Sequence, residues 1–226
     1  MNMYSLFRTI AIAALLAGLL GCAGPQVSES TSLSDVKDKG IAIVSVTHDY
    51  TTGARANAIF YLKNDQTFGA FEQRQLHSRP NIAGIPRRSD FSGVYGQVYV
   101  LQMDPGSYQI AGWMTRNGAL HASPRYPPPP LHFDIKAGEV IYIGNLNLNH
   151  SMGRSLFGIP VLASVMAEVR NHETADIPIA EQKAPLVKGR VVSRLLPIGP
   201  WHGGNTDMDQ TNELPTVPNQ PAGSRI

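Results

Sequence analysis

Seven histidines are the side chains of this sequence best suited to moving protons or binding a metal: His48, His77, His121, His132, His150, His172 and His202. None stands at the H-x-H, H-x3-H or H-E-x-x-H spacing that brings two imidazoles to one ion. His48-Asp49 sets a base beside a carboxylate, the couple with which a hydrolase activates a nucleophile. No nucleophile motif completes it, because Gly153-Arg154-Ser155-Leu156-Phe157-Gly158 brings its second glycine one residue too late for G-x-S-x-G. No phosphate-cradling glycine loop occurs, so no nucleotide cofactor is implied. The scattered Met103, Met114, Met152, Met166 and Met208 read as packing rather than a copper site. Residues for binding are easier to find. Arg74, Arg79, Arg87 and Arg88 crowd the segment 64–92 and suit an anionic surface such as lipid headgroups or an acidic glycan; the plain alternative is a solvated loop. Tyr126 precedes Pro127–Pro130, a polyproline II stretch that suits a partner's aromatic groove or serves as a stiff connection. Trp113, Tyr99 and Tyr95 offer aromatic faces to a sugar or small molecule.

The only cysteine, Cys22, closes the run Leu19-Leu20-Gly21-Cys22. Before it, Arg8 and the amino terminus supply positive charge and Ile10–Leu20 supplies an apolar stretch too short to span a bilayer comfortably. The run resembles the lipobox of bacterial lipoproteins, and the bland alternative is a secretory signal with an incidental thiol. The resemblance implies that residues 1–21 are removed and that Cys22 takes acyl chains. Several chains anchor stably where one is marginal, at about 0.8 kcal/mol per buried CH2. Ala23 rather than Asp follows the cysteine, which in enteric-type lipoproteins implies passage to the outer membrane.

These side chains need a scaffold, and its period is two. Ala54, Ala56, Ala58, Phe60 and Leu62 alternate with Arg55, Asn57 and Tyr61, and Phe157 through Val169 is apolar at seven successive odd positions. A helix would scatter such residues around its axis, whereas a strand sets them on one face. The pattern predicts strands at 41–47, 54–62, 94–103, 107–114, 131–136, 140–145, 157–170 and 186–196, with 145–150 as continuation carrying a polar face. Tight turns are expected at Met103–Ser107 and Lys136–Glu139. His132 alternates out of an apolar face toward solvent. One short helix of one or two turns, interrupted by Pro178, is expected over 173–183. About eight short strands without crossover helices predict an all-β, antiparallel β-sandwich, with a closed barrel as the alternative.

Pro105-Gly106-Ser107-Tyr108, Leu131–Ile135 and Ala137–Gly144 together resemble uncharacterised bacterial lipoproteins and transthyretin-like or carboxypeptidase-regulatory-like modules. That resemblance spans roughly 40 residues. It implies a β-sandwich and transfers no catalytic residue. The expected organisation is a signal peptide (1–21), a flexible tether (22–39), the sandwich (40–197) and a disordered tail (198–226). The formal charge of +2 gives no electrostatic ground for nucleic acid, and a single cysteine excludes an intramolecular disulfide framework. Hydrophobic residues at 42% suffice for a core. The reading is an envelope lipoprotein anchored in the bilayer through Cys22, without cofactor or metal, that binds or scaffolds an envelope protein or glycan. A glycan- or small-molecule-binding sandwich is the alternative, and a hydrolase around His48 and Asp49 is the third reading. Replacing Cys22 by Ala is expected to abolish radiolabelled palmitate incorporation and membrane fractionation; continued labelling would sink the anchoring claim.

Overall fold

The structure is a computed structural model that describes residues 26–28, 31, 36–49, 56–65, 73–82, 85–117, 120–154, 156, 158 and 160–202. The signal segment, Cys22 and residues 203–226 of the tail lie outside the described residues. The protein is mostly β-sheet with one helix. Two main sheets carry it.

The first sheet is built around β1 (Gly40–His48), all nine residues of which are buried. It pairs antiparallel with β6 (Tyr95–Met103) and parallel with β10 (Val140–Arg154). Beyond β10 lie β11 (Pro160–Arg170) and the short β12 (Val191–Ser193) and β13 (Gly199–Pro200). The second sheet comprises β2 (Ala56–Asn64), β3 (Arg74–His77), β7 (Gly106–Asn117), β8 (Leu120–Ala122) and β9 (Leu131–Ile135). A separate hairpin joins β4 (Asn81–Ile82) to β5 (Ile85–Pro86). Alternation sends Ala42, Val44 and Val46 into a core shared with Phe60, Leu76 and Ile110 of the second sheet. Each fully buried Leu, Ile or Phe there contributes about 1.5–3 kcal/mol.

The opposite face of the first sheet is covered as well. Ile41, Ile43, Val98, Val100 and Tyr142 pack under Ala180 of α1 (Glu173–Lys183), Ala184 at its C-terminal cap and Val187 of a 3-10 turn (Pro185–Val187). Further along that face the buried residues are polar: Ser45 and Thr47 on β1, Asn145 and Asn147 on β10. The polar face expected of 145–150 is therefore an interior one. A buried polar group must find partners, and these do. Asn145 Nδ2 donates to Ser45 Oγ at 2.7 Å, and Thr47 Oγ1 lies 3.1 and 2.7 Å from the side-chain oxygens of Asn145 and Asn147. The chain ends at Asp176 on α1, whose Oδ2 accepts from Ser45 and, at 2.7 Å, from Tyr142; His172 Nδ1 lies 3.0 Å from Oδ1.

Several expectations change. The first sheet is not antiparallel throughout: β1–β10 run parallel, the chain passing through the second sheet and β6 between them, and β10–β12 run parallel, with β11 and the helix between them. The described residues form thirteen strands, five of them only two or three residues long. Segment 186–196 is a 3-10 turn and the brief β12 rather than a full strand. The helix runs unbroken through Pro178, held to the sheet by its buried Asp176 and Ala180. The tether is pinned at 26–27: Gln26 bridges Leu101, and Val27 is buried with its N–H donating to Val100 O at 3.0 Å. The tail begins with β13 and the buried Trp201, which donates Nε1–H to Pro129 O at 2.8 Å. Both ends are held because each adds apolar area to a core. The turn at Lys136–Glu139 forms as expected, with Gly138 at φ +73° and Glu139 N–H donating to Lys136 O.

Burial raises the Asp176 carboxyl above its ordinary value, against the lowering effect of its Ser45 and Tyr142 hydrogen bonds. The folded state thus holds this proton more tightly than the unfolded chain. The stability it supports is fully present below the unfolded value near 3.8 and is lost as pH rises through the folded value. Asp176→Asn, a neutral acceptor of the same shape, is expected to gain stability relative to the parent as pH rises from about 4 to about 8. Asp176→Ala strands two buried hydroxyls and is expected to cost about 1–3 kcal/mol in urea unfolding.

Candidate functional site

Between the second sheet and β6, the described residues 78–82 and 85–95 include the paired strands β4 and β5, and their backbone is pinned at several points. Arg87 N–H donates to Pro80 O and Asp90 N–H to Gly96 O. Ser89 Oγ donates to Val94 O at 2.9 Å and accepts from the N–H groups of Phe91 and Gly96. Gln97 Nε2 donates to Arg88 O at 2.6 Å. Gly96 lets the loop lie close: a Cβ there would stand 2.6 Å from Thr47 Cγ2 and 2.7 Å from Phe91 Cδ2. The result is a cleft of about 760 Å³ with a fixed rim.

Arg79, Arg87 and Arg88 line it together with Asp90, Phe91 and Tyr95. Asp90, its one acid, is already engaged. Its Oδ2 accepts the Val98 N–H at 2.7 Å and forms an ion pair with Lys183 of α1. Arg87 and Arg88 are exposed. Arg79 lies over Tyr95, its Cζ 4.8 Å from the ring centroid, and its Nη1 is buried with no hydrogen-bond partner among the described residues. A buried guanidinium N–H without an acceptor is costly and suits an anionic oxygen.

Beneath Tyr95 the histidines are internal. His48 is fully buried, stacks on Tyr95 at 5.1 Å and meets His150 edge-on at 5.7 Å. Its Nδ1 lies 2.7 Å from Ser78 Oγ, while Thr115 Oγ1 lies 3.0 Å from His150 Nε2. Asp49 turns to His150 rather than to His48: its Oδ1 lies 3.6 Å from His150 Nδ1. The base–carboxylate pair expected of His48-Asp49 is therefore not assembled. Ser78 is buried, and its Oγ also accepts the Ala58 N–H at 2.8 Å and donates to Asn57 Oδ1. Burial first, then the neighbouring His150, lowers His48 from 6.5 to about 4. Among the described residues no group of three His, Cys, Asp or Glu is placed to hold a metal ion, and no helix is long and apolar enough to cross a membrane.

Of the expected binding residues, the structure gathers Arg79, Arg87, Arg88 and Tyr95. Arg74 lies apart on β3 opposite Leu62, beside Tyr99, and burial lowers its pKa. Tyr99 is a tie between β6 and β3: its hydroxyl donates to His77 O at 2.7 Å and accepts the His77 N–H at 2.9 Å, and burial pushes its pKa up to about 12. Trp113 is buried in the shared core and presents no face to a sugar. Tyr126 is exposed beside Arg125, away from the cleft lining. His132 is exposed as expected and lies 3.1 Å from Asp65. The Asp90–Lys183 pair and Ser89 escape a reading of the sequence, although Ser89-Asp90-Phe91-Ser92-Gly93 has the composition of a side-chain-capped turn.

Compared with protein-family models, curated proteins and solved structures, the chain matches none.

A histidine held neutral inside the fold contributes stability at neutral pH that is lost as pH falls, since the unfolded chain takes the proton first. For His48 the window runs from about 6.5 down to about 4. Urea unfolding at about pH 7 and about pH 5 is expected to show the parent losing more stability than a His48→Gln variant. Equal losses would mean that His48 is not held neutral in the fold.

Proposed function

We propose that this chain is a lipid-anchored protein of the bacterial cell envelope, held in the outer membrane through Cys22. Its two sheets are read as a β-sandwich, here with two parallel pairings inside one sheet, acting as a non-enzymatic binding module without cofactor. Its ligand is an anionic group of an envelope component, an acidic glycan or an anionic patch on an envelope protein.

The observation that carries the binding reading is the cleft at Arg79, Arg87 and Arg88. Its one carboxylate is taken by Lys183 and the Val98 N–H, so three arginines line it without an acidic partner among the described residues. Arginine forks accept carboxylate, phosphate or sulfate in two parallel hydrogen bonds, and Tyr95 beside them offers a ring to a sugar. The anchor rests on Leu19-Leu20-Gly21-Cys22 after its apolar run. A hydrolase is the weaker reading, since Ser78 and His48 touch each other but are both buried.

The test is binding of the acylated protein, in detergent, to paired arrays of acidic and neutral glycans and to cross-linked envelope proteins from intact cells. Acidic ligands are expected to be retained, and the double change Arg87→Glu and Arg88→Glu to weaken them at least about tenfold, about 1.4 kcal/mol. Retention should fall as salt is raised. Equal binding of neutral and acidic ligands, or no effect of the charge reversal, would remove the cleft from the proposal.

A further inference from the structure

The segment after Cys22 is expected to be a long flexible spacer, and the fold shortens it. Gln26 bridges Leu101 of β6, and Val27 is buried with its N–H on Val100 O. Only four residue steps separate Cys22 from Gln26, a contour of at most about 14 Å. Leu101 stands two residues from Met103 at one end of β6 and six from Tyr95 at the other, about 20 Å at about 3.3 Å per residue, so the leash is too short to span to the Tyr95 end.

That end is where several turns meet. Gly40 pairs with Met103, and Lys39 forms an ion pair with Asp104. Gly138 N–H donates to Lys39 O, and Arg190 Nη2 donates to Gly138 O at 3.1 Å. Val140 pairs with Val191, so the turn around Lys188–Arg190 lies beside the Lys136–Glu139 turn. Arg194 forms an ion pair with Glu139. With those two acids neutralised, exposed Lys37, Lys136, Lys188 and Arg190 outnumber Asp38, Asp134 and the half-buried Glu181, which accepts the Gly189 N–H. The cleft lies at the other end of the same strand: Tyr95 opens β6 and Met103 closes it, about 26 Å apart at about 3.3 Å per residue.

We infer that acylated Cys22 holds the Gly40–Met103 end of the first sheet directly against the bilayer, with Lys37, Lys136, Lys188 and Arg190 toward anionic headgroups and the arginine cleft pointing away. The inference rests on the acylation proposed above. A short leash and a cationic end act together, because headgroup attraction decays within about a Debye length of roughly 10 Å and the leash keeps the charges inside it. The domain is then oriented rather than free to tumble, and its cleft faces partners that lie off the membrane.

The test uses full-length acylated protein in phosphatidylglycerol–phosphatidylethanolamine vesicles, modified with an amine-acetylating reagent and with phenylglyoxal and read residue by residue by mass spectrometry. The comparator carries a Gly/Ser insertion of about twenty residues between Ala23 and Gly24, long enough to free the domain. Lys37, Lys136, Lys188 and Arg190 are expected to react severalfold more slowly in the parent than in the insertion variant, while Arg87 and Arg88 react alike in both. Equal reactivity at the four basic residues, with palmitate present on Cys22, overturns the orientation and leaves the anchor standing. Slower reaction of Arg87 and Arg88 instead places the opposite end on the bilayer and also overturns it. Absence of palmitate on Cys22 overturns orientation and anchor together.

Discussion

The burial of β1 on both faces is the constraint on which the rest of the molecule depends. A strand covered on one side only can leave alternate residues to water. β1 cannot, so its side chains from Ile41 to His48 must be apolar or find hydrogen-bond partners inside the fold. Ala42, Val44 and Val46 meet this with the shared core, and Ile41 and Ile43 with the helix layer. Ser45 and Thr47 meet it with hydrogen bonds to Asp176, Asn145 and Asn147; His48 meets it only through Nδ1 at Ser78, its Nε2 having no hydrogen-bond partner among the described residues. The parallel partner β10 supplies the asparagines, and α1 supplies the carboxylate.

The same demand organises the cleft. β6 is the edge of the first sheet, and an open edge invites pairing with another chain. Here the edge is closed from two directions. Gln26 and Val27 take its Leu101 end, while Asp90 takes the Val98 N–H and Lys183 takes the Val98 carbonyl. Closing the edge with Asp90 consumes the acid that would otherwise neutralise the arginines beside it. A device that protects the sheet thereby leaves the rim of the cleft cationic.

Legibility followed the range of the interactions. The alternation in 56–62 and 131–135 and the turn at Gly138 were readable because each depends on neighbours a few residues away. The loop carrying Arg79, Arg87 and Arg88 stood out by composition. Segment 186–196 misled because Val187, Val191 and Leu195 have strand spacing, yet only Val191–Ser193 joins the sheet, and all three pack in one apolar layer with Ala180. Val27 and Trp201 were hidden because each is an isolated apolar residue in a polar stretch, and no period marks one residue. Trp113 looked available for stacking only because nothing local showed that Phe60 lies opposite it.

The sequence by itself determined the β character, through a period of two that only a pleated strand can put on one face. It also placed the one cysteine after an apolar run. Tertiary structure alone decided that β1 and β10 run parallel, that His48 parts from Asp49, and that Asp90 is spent on Lys183 ninety-three residues away. Strand direction and charge pairing are set by which distant groups must share a water-free space, and that is a property of the packed chain rather than of any window along it.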